Sequence, residues 1–220
     1  MFQSRKNIVF IVLAGIFITN AVVAELIGGK LIQIAGFTLS IGILPWPIVF
    51  LTTDLINEYF GKSGVRKLTL LTAGLISYAF IVLYTGMNVP ASSISPVNDK
   101  NFNIVFGQGM WIIIGSLVAF IISQLLDVAV FHKFKKHTGD NHIWLRATGS
   151  TLISQLIDTF IVGGIAFYLP GKVNLEQYLN MSSSGYLAKL LIAIALTPLI
   201  YVGHRVIKNY LKEEIITPEE

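Results

Sequence analysis

The sequence predicts an all-α integral membrane protein with six transmembrane helices, and three observations lead there. Hydrophobic residues make up 54% of the 220 and charged residues only 13%, with a mean hydropathy of +0.70. An average soluble domain carries about 25% charged residues, so this chain has too little charge to coat a water-exposed surface. Six apolar stretches, at 7–26, 39–59, 66–85, 110–131, 147–169 and 186–207, each approach the length a helix needs to cross a bilayer. The basic residues alternate sides when those stretches are threaded. With the N-terminus inside, twelve of sixteen Lys and Arg fall in inner segments, three (Lys30, Lys100, Lys172) in outer loops, and Lys189 within the last span. That asymmetry is the positive-inside pattern and sets both termini in the cytoplasm. The net charge of +4 therefore reports topology, and no nucleic-acid partner is expected. The composition also excludes disorder. The absence of Cys excludes disulfides, thiolate metal sites and cysteine nucleophiles.

The first stretch is expected to be a retained span, because its apolar run is long and no small-residue cleavage site follows. The second is interrupted by Pro45-Trp46-Pro47 and carries Asp54 and Glu58 in its last third. Between these two, residues 30–40 alternate around Gly36, predicting a small outer hairpin. The longest connection, 86–109, is rich in Pro, Ser and Asn and reads as an ordered outer loop or lid. Gly163-Gly164 fits close helix packing. One transmembrane domain is expected over 1–212, with a flexible acidic tail at 213–220. Spans one to three begin inside and four to six begin outside, which would make two inverted three-helix halves.

Ionisable and amide side chains in such segments are costly and mark substrate or ion paths. Two near-identical stretches stand out, Ser123-Gln124-Leu125-Leu126-Asp127 and Ser154-Gln155-Leu156-Ile157-Asp158. Gln and Asp three residues apart share one helix face. Asp158 falls near mid-membrane, where interhelical glue does not require a charge. Asp127 lies nearer the cytoplasmic end, where Lys133 or His132 could neutralise it. Ser123 and Gln124 read equally as pocket or as interhelical contacts. Asp54 reads as a substrate or proton ligand, or with Glu58 as a partner of Lys62 and Arg66. Lys189 has no neighbouring charge to explain it, so an acidic residue or ligand is its expected partner. Asn20 is a further candidate, and Glu25 is expected to be solvated at the outer surface. The four His lie in cytoplasmic loops or at a helix end. No metal-ligand spacing, cofactor motif or protease signature is present, so neither an enzyme nor a cofactor is expected.

Four ordered segments, LPWPIVFLTTDLINEYFGK, ISQLLDVAVFHKF, STLISQLIDTFIVGGIAF and KLLIAIALTPLIYV, resemble the queuosine precursor transporter family, a six-helix membrane family related to vitamin-uptake transporters. The resemblance runs from about Asn20 to Tyr201 and places the family's motif residues on Asn20, Asp54, Asp127, Asp158, Lys189 and Pro198. It implies import of 7-cyano-7-deazaguanine or 7-aminomethyl-7-deazaguanine across a bacterial inner membrane. A 7-deazaguanine offers two adjacent N–H donors and the O6 acceptor, and a carboxylate accepts such a donor pair through strong charge-assisted bonds. Asp158 is expected to read that edge, with Gln155 or Gln124 adding contacts and Lys189 or Asn20 completing the pocket. Trp46, Phe50 or Phe160 would stack on the ring, and the lipid bilayer and a homo-oligomer are compatible surroundings. The alternatives are a vitamin- or purine-capture subunit of an ATPase-energised uptake system and, from another class, a membrane enzyme or structural subunit. Uptake in cells lacking every such ATPase module separates the first from the leading reading.

Overall fold

A computed structural model describes residues 4–28, 30–34, 37–107, 110–138 and 142–216. Among the described residues, the regular structure is helical apart from one two-stranded hairpin. Helix α1 (Arg5–Ile27) starts at Ser4, whose hydroxyl accepts from the Asn7 amide, as an N-cap does. Strands β1 (Leu31–Ile34) and β2 (Phe37–Ser40) pair antiparallel, with Leu31 opposite Ser40 and Ile34 opposite Phe37. This is the expected hairpin, although the turn at Gly36 itself lies outside the described residues. A 3₁₀ turn (Ile41–Ile43) then leads into α2 (Trp46–Met87).

The second span thus differs from the stretch predicted at 39–59. Its first part is strand and 3₁₀ turn, and the helix proper begins at Trp46. Pro45 and Pro47 initiate that helix rather than interrupt it, because a first-turn proline lacks only an N–H that has no intrahelical partner anyway.

Within α2, Gly61 has φ 67° and ψ −173°, and the helix breaks there. Phe60 and Gly64 lie against Phe10 near the start of α1. The far end of α2, at Met87, lies beside Gly107 just before the next span. The chain therefore reverses at Gly61, and α2 comprises two spans, 46–60 and 62–87, joined by one residue. The backbone there sits in a region essentially reserved for glycine. Counting α2 twice gives the six predicted crossings, from five helices long and apolar enough to span a membrane.

Residues 86–107 of the expected outer loop are ordered, and 108–109 lie outside the described residues. The loop contains a short helix, α3 (Asp99–Phe106), and Asp99 accepts from the Ala91 amide at 2.8 Å. Helix α4 (Met110–Thr138) and helix α5 (Ile143–Gly163) form an antiparallel hairpin, and α5 ends in a π turn (Gly164–Tyr168). Helix α6 runs from Leu175 to Ile216, much longer than the predicted 186–207. Of the tail expected to be flexible at 213–220, residues 213–216 continue α6 and 217–220 lie outside the described residues.

Phe17, Val49, Ile56, Val65, Phe120 and Phe131 are fully buried where the helices meet. Outward-facing positions are apolar too, among them Ile11, Leu71, Ile81, Ile122, Leu191 and Val206, so the helices are hydrophobic all round, as lipid requires. Basic groups gather at one end. The Arg5 guanidinium donates to the Tyr210 carbonyl, Lys6 lies over the Phe60 ring, and Lys135 reaches Glu58.

Candidate functional site

The interior holds a ladder of polar side chains contributed mainly by α2, α4 and α5. Its centre is the repeated Ser-Gln-x-x-Asp motif. Antiparallel packing lets each motif hold the other's acid. Ser123 donates to Asp158 Oδ1 at 3.3 Å, and Ser154 donates to Asp127 Oδ1 at 3.2 Å. All four side chains are buried. Four residues of helix rise about 6 Å, so the ladder has two levels one turn apart. Asp158 belongs to the level farther from the basic end, and Asp127 to the nearer one.

At the outer level, Lys189 from α6 donates to Asp158 Oδ2 at 2.7 Å. The expected acidic partner of Lys189 is therefore Asp158. Gly163 permits this approach of α6. A Cβ there would sit 2.7 Å from Ser182 Oγ, so a larger residue would push the helices apart. Glu25, expected to be solvated at the outer surface, is half-buried, and its carboxylate accepts from Ser116 on α4. Hydropathy places Glu25 near the membrane edge but is blind to which face of α1 it occupies, and its contact with α4 is purely tertiary.

At the inner level, Asp54 on α2 shares a cavity with Thr151 of α5, about one turn before the Ser154 that donates to Asp127. Asp54 Oδ1 and Asp127 Oδ2 have no hydrogen-bond partner among the described residues. Asp54 also lines a cavity of about 20 Å³ with Phe50, Thr148, Thr151, Thr197 and Ile200, joining α2, α5 and α6. That volume admits about one water molecule. Gln124 and Gln155 are buried beside their serines, and Gln124 Oε1 accepts from Thr53 at 3.5 Å, the outer limit for such a bond. Trp46 stacks on Phe50 at 5.7 Å between centroids and leans on Phe120 at 6.1 Å, roofing the ladder from α2. Asn20 is not joined to this cluster by a hydrogen bond. Its amide donates back to the Ile16 carbonyl at 2.8 Å.

Below the ladder, Glu58 closes the basic end, with different partners from those expected. It pairs with Arg146 at 2.8 Å and Lys135 at 3.2 Å, rather than with Lys62 and Arg66. Arg146 uses both Nε and NH2, a bidentate grip that lysine cannot provide. Its position next to a loop in the sequence concealed its burial, which is nearly complete at 1% exposure. Glu58 and Lys62 share a helix numerically, but the break at Gly61 removes the i, i+4 geometry. Nearby, the Tyr59 hydroxyl is shared between Nδ1 and the carbonyl of His204 on α6. No group of three or more metal-ligating side chains is found among the described residues.

Six apolar crossings around a buried ladder of carboxylates, amides, hydroxyls and one lysine define a polytopic membrane transporter, the site lying inside the bundle rather than on a soluble domain. A family model described as "Putative vitamin uptake transporter" matches residues 40–203. The "Probable queuosine precursor transporter" of Bacillus subtilis is 33% identical over 182 residues, covering 82% of this chain and 78% of its own. The "Queuosine precursor transporter" of Escherichia coli is 30% identical over 168 residues, covering 74% of this chain and 71% of its own. A "Probable queuosine precursor transporter" of Haemophilus influenzae is 30% identical over 160 residues, with 70% and 63% covered. The chain belongs to this family of membrane transporters. No solved structure matches it.

Proposed function

We propose that this protein imports a queuosine precursor of the 7-deazaguanine class across the cytoplasmic membrane of a bacterium, and that it acts as a transporter rather than an enzyme. The observation that carries the reading is the pairing of buried Asp158 with half-buried Lys189, together with the Ser123 contact, in a chain whose relatives carry the name queuosine precursor transporter. The ligand edge explains why such a pair suits this cargo. The N1–H and exocyclic N–H present two parallel donors, and a carboxylate takes both. Both Asp158 oxygens are engaged at present, so arrival of the donor edge displaces Lys189, whose ammonium turns to O6. The ligand thus exchanges one charge-assisted partner for another, and Asp158 is never left buried and bare. Gln124 and Gln155, each next to a ladder serine, supply further donors and acceptors. Trp46 and Phe50 offer ring faces for stacking, with Asn20 as an outlying contact.

The test is uptake of labelled 7-cyano-7-deazaguanine by cells whose own transporter has been deleted. Asp158→Asn turns one acceptor oxygen into a donor and should lower uptake at least tenfold, since charge-assisted bonds contribute roughly 1.5–3 kcal/mol. Asp158→Ala should abolish uptake. Wild-type rates in both variants would remove Asp158 from the site.

A further inference from the structure

Asp54 and Asp127 remain once the Asp158–Lys189 pair is assigned to the cargo. Both are more than nine-tenths buried, and Asp54 shares a cavity with Thr151, about one turn before the Ser154 that donates to Asp127. Each has an oxygen without a hydrogen-bond partner, and Asp54 faces the one-water cavity. Asn57, three residues on from Asp54 and wholly buried, leaves both its side-chain polar atoms unpartnered as well. Among the described residues, no Lys or Arg lies within ion-pairing distance of either acid. Lys189 is taken by Asp158, and Lys135 and Arg146 face Glu58.

The charged groups around the inner level come from α2, α4, α5 and α6. Asp54 and Glu58 from α2 and Asp127 from α4 are the carboxylates, with Lys135 from α4, Arg146 from α5, Lys62 from α2 and Lys208 from α6 toward the basic end. The neighbouring histidines are His132 on α4, whose Nε2 is unpartnered and which lies a further turn toward the basic end, and His204 on α6, engaged by Tyr59. Above the set, Asp158 is balanced by Lys189, and Glu25 accepts from Ser116. A proton on one carboxyl of the Asp54–Asp127 pair supplies the donor that the unpartnered oxygens lack.

We propose that Asp54 and Asp127 share one exchangeable proton and that this pair couples the proton gradient to uptake. The pair lies one helical turn nearer the basic end than Asp158, and the cavity at Asp54 opens between α2, α5 and α6. Loading and unloading therefore occur beside the cargo site but not in it. No bond other than O–H is made or broken. A proton enters from the acidic side, resides on one carboxyl, and leaves to water on the other side together with the cargo.

The coupling rests on the transport reading above, and the test separates the two. Full-length protein in sealed vesicles is loaded with labelled 7-cyano-7-deazaguanine. With one proton carried per neutral cargo, a one-unit inward pH gradient sustains about a tenfold accumulation, because 1.4 kcal/mol corresponds to tenfold. A protonophore should abolish accumulation, and sodium should not replace the proton. Asp54→Asn and Asp127→Asn should still exchange cargo, at reduced rate, with the accumulation ratio falling to one. Independently of any cargo, infrared spectra of purified protein carrying Glu25→Gln, which removes the carboxyl that accepts from Ser116, should show a protonated-carboxyl C=O band titrating as one proton. His132→Gln should keep that band and each Asn variant should lose it. A band persisting in both Asn variants, sodium-driven accumulation, or accumulation indifferent to protonophore overturns the coupling site. Wild-type vesicles that neither accumulate nor exchange the compound overturn the cargo reading, while the infrared result still decides for or against the shared proton.

Discussion

Arg146 shows how far one side chain is specified by contacts that sequence order conceals. It is 1% exposed and held by Glu58, 88 residues earlier in the chain. Removing one member of a buried ion pair costs about 3–5 kcal/mol. Glu58→Ala should therefore lower the unfolding temperature of the detergent-solubilised protein sharply. The double variant Glu58→Leu with Arg146→Met should recover most of the loss, because paired apolar replacements of similar volume are often neutral. The candidate site was partly legible in the same sense. The duplicated Ser-Gln-x-x-Asp pattern marks Asp127 and Asp158 without any structure, since a repeated acid in an apolar run has little use as packing. Glu25 escaped because hydropathy along a helix reports depth and not azimuth. Asn20 illustrates the converse: a polar residue at suitable depth satisfies itself on its own helix, through the Ile16 carbonyl.

Among the elements, the α2 reversal departs most from what periodicity predicts. Apolar windows locate both of its spans, yet nothing in hydropathy distinguishes a six-residue loop from a single hinge residue. The turn depends on the φ of Gly61, 67°, with no neighbouring atom within 4 Å of an added Cβ. Space is therefore not the obstacle to substitution, and backbone conformation is. Gly61→Ala should cost about 1–3 kcal/mol, the usual price of a non-glycine residue in a sparsely populated region. Gly64→Ala offers a contrast, because its backbone is helical but an added Cβ would lie 2.9 Å from the Phe60 Cβ, which the backbone holds in place. Thermal unfolding of the two variants should separate strain from crowding. The hairpin at β1 and β2 and the ordered loop carrying α3 were both anticipated from turn residues and alternation, which local sequence encodes directly. The partners of Glu58 were not, because the helix break cancels the spacing rule that pointed to Lys62.

For the molecule as a whole, the threading of six crossings follows from two quantities any sequence exposes, apolar length and the placement of Lys and Arg. The structure gathers Arg5, Lys6, Lys135 and Arg146 at one end, as that threading requires. Because the natural chain has no Cys, any single introduced cysteine is the sole thiol present. Cysteines at Lys100 and Lys172 should react with a membrane-impermeant maleimide applied to intact cells, while those at Lys67 and Lys208 should react only after permeabilisation. The opposite pattern would invert the molecule. The crossed serine–aspartate contacts carry one mechanical consequence. Sliding α4 along α5 by a single turn would break Ser123–Asp158 and Ser154–Asp127 together, so the two helices form a stator. The one-water cavity lies outside that pair of helices' shared contacts, at their joint with α2 and α6.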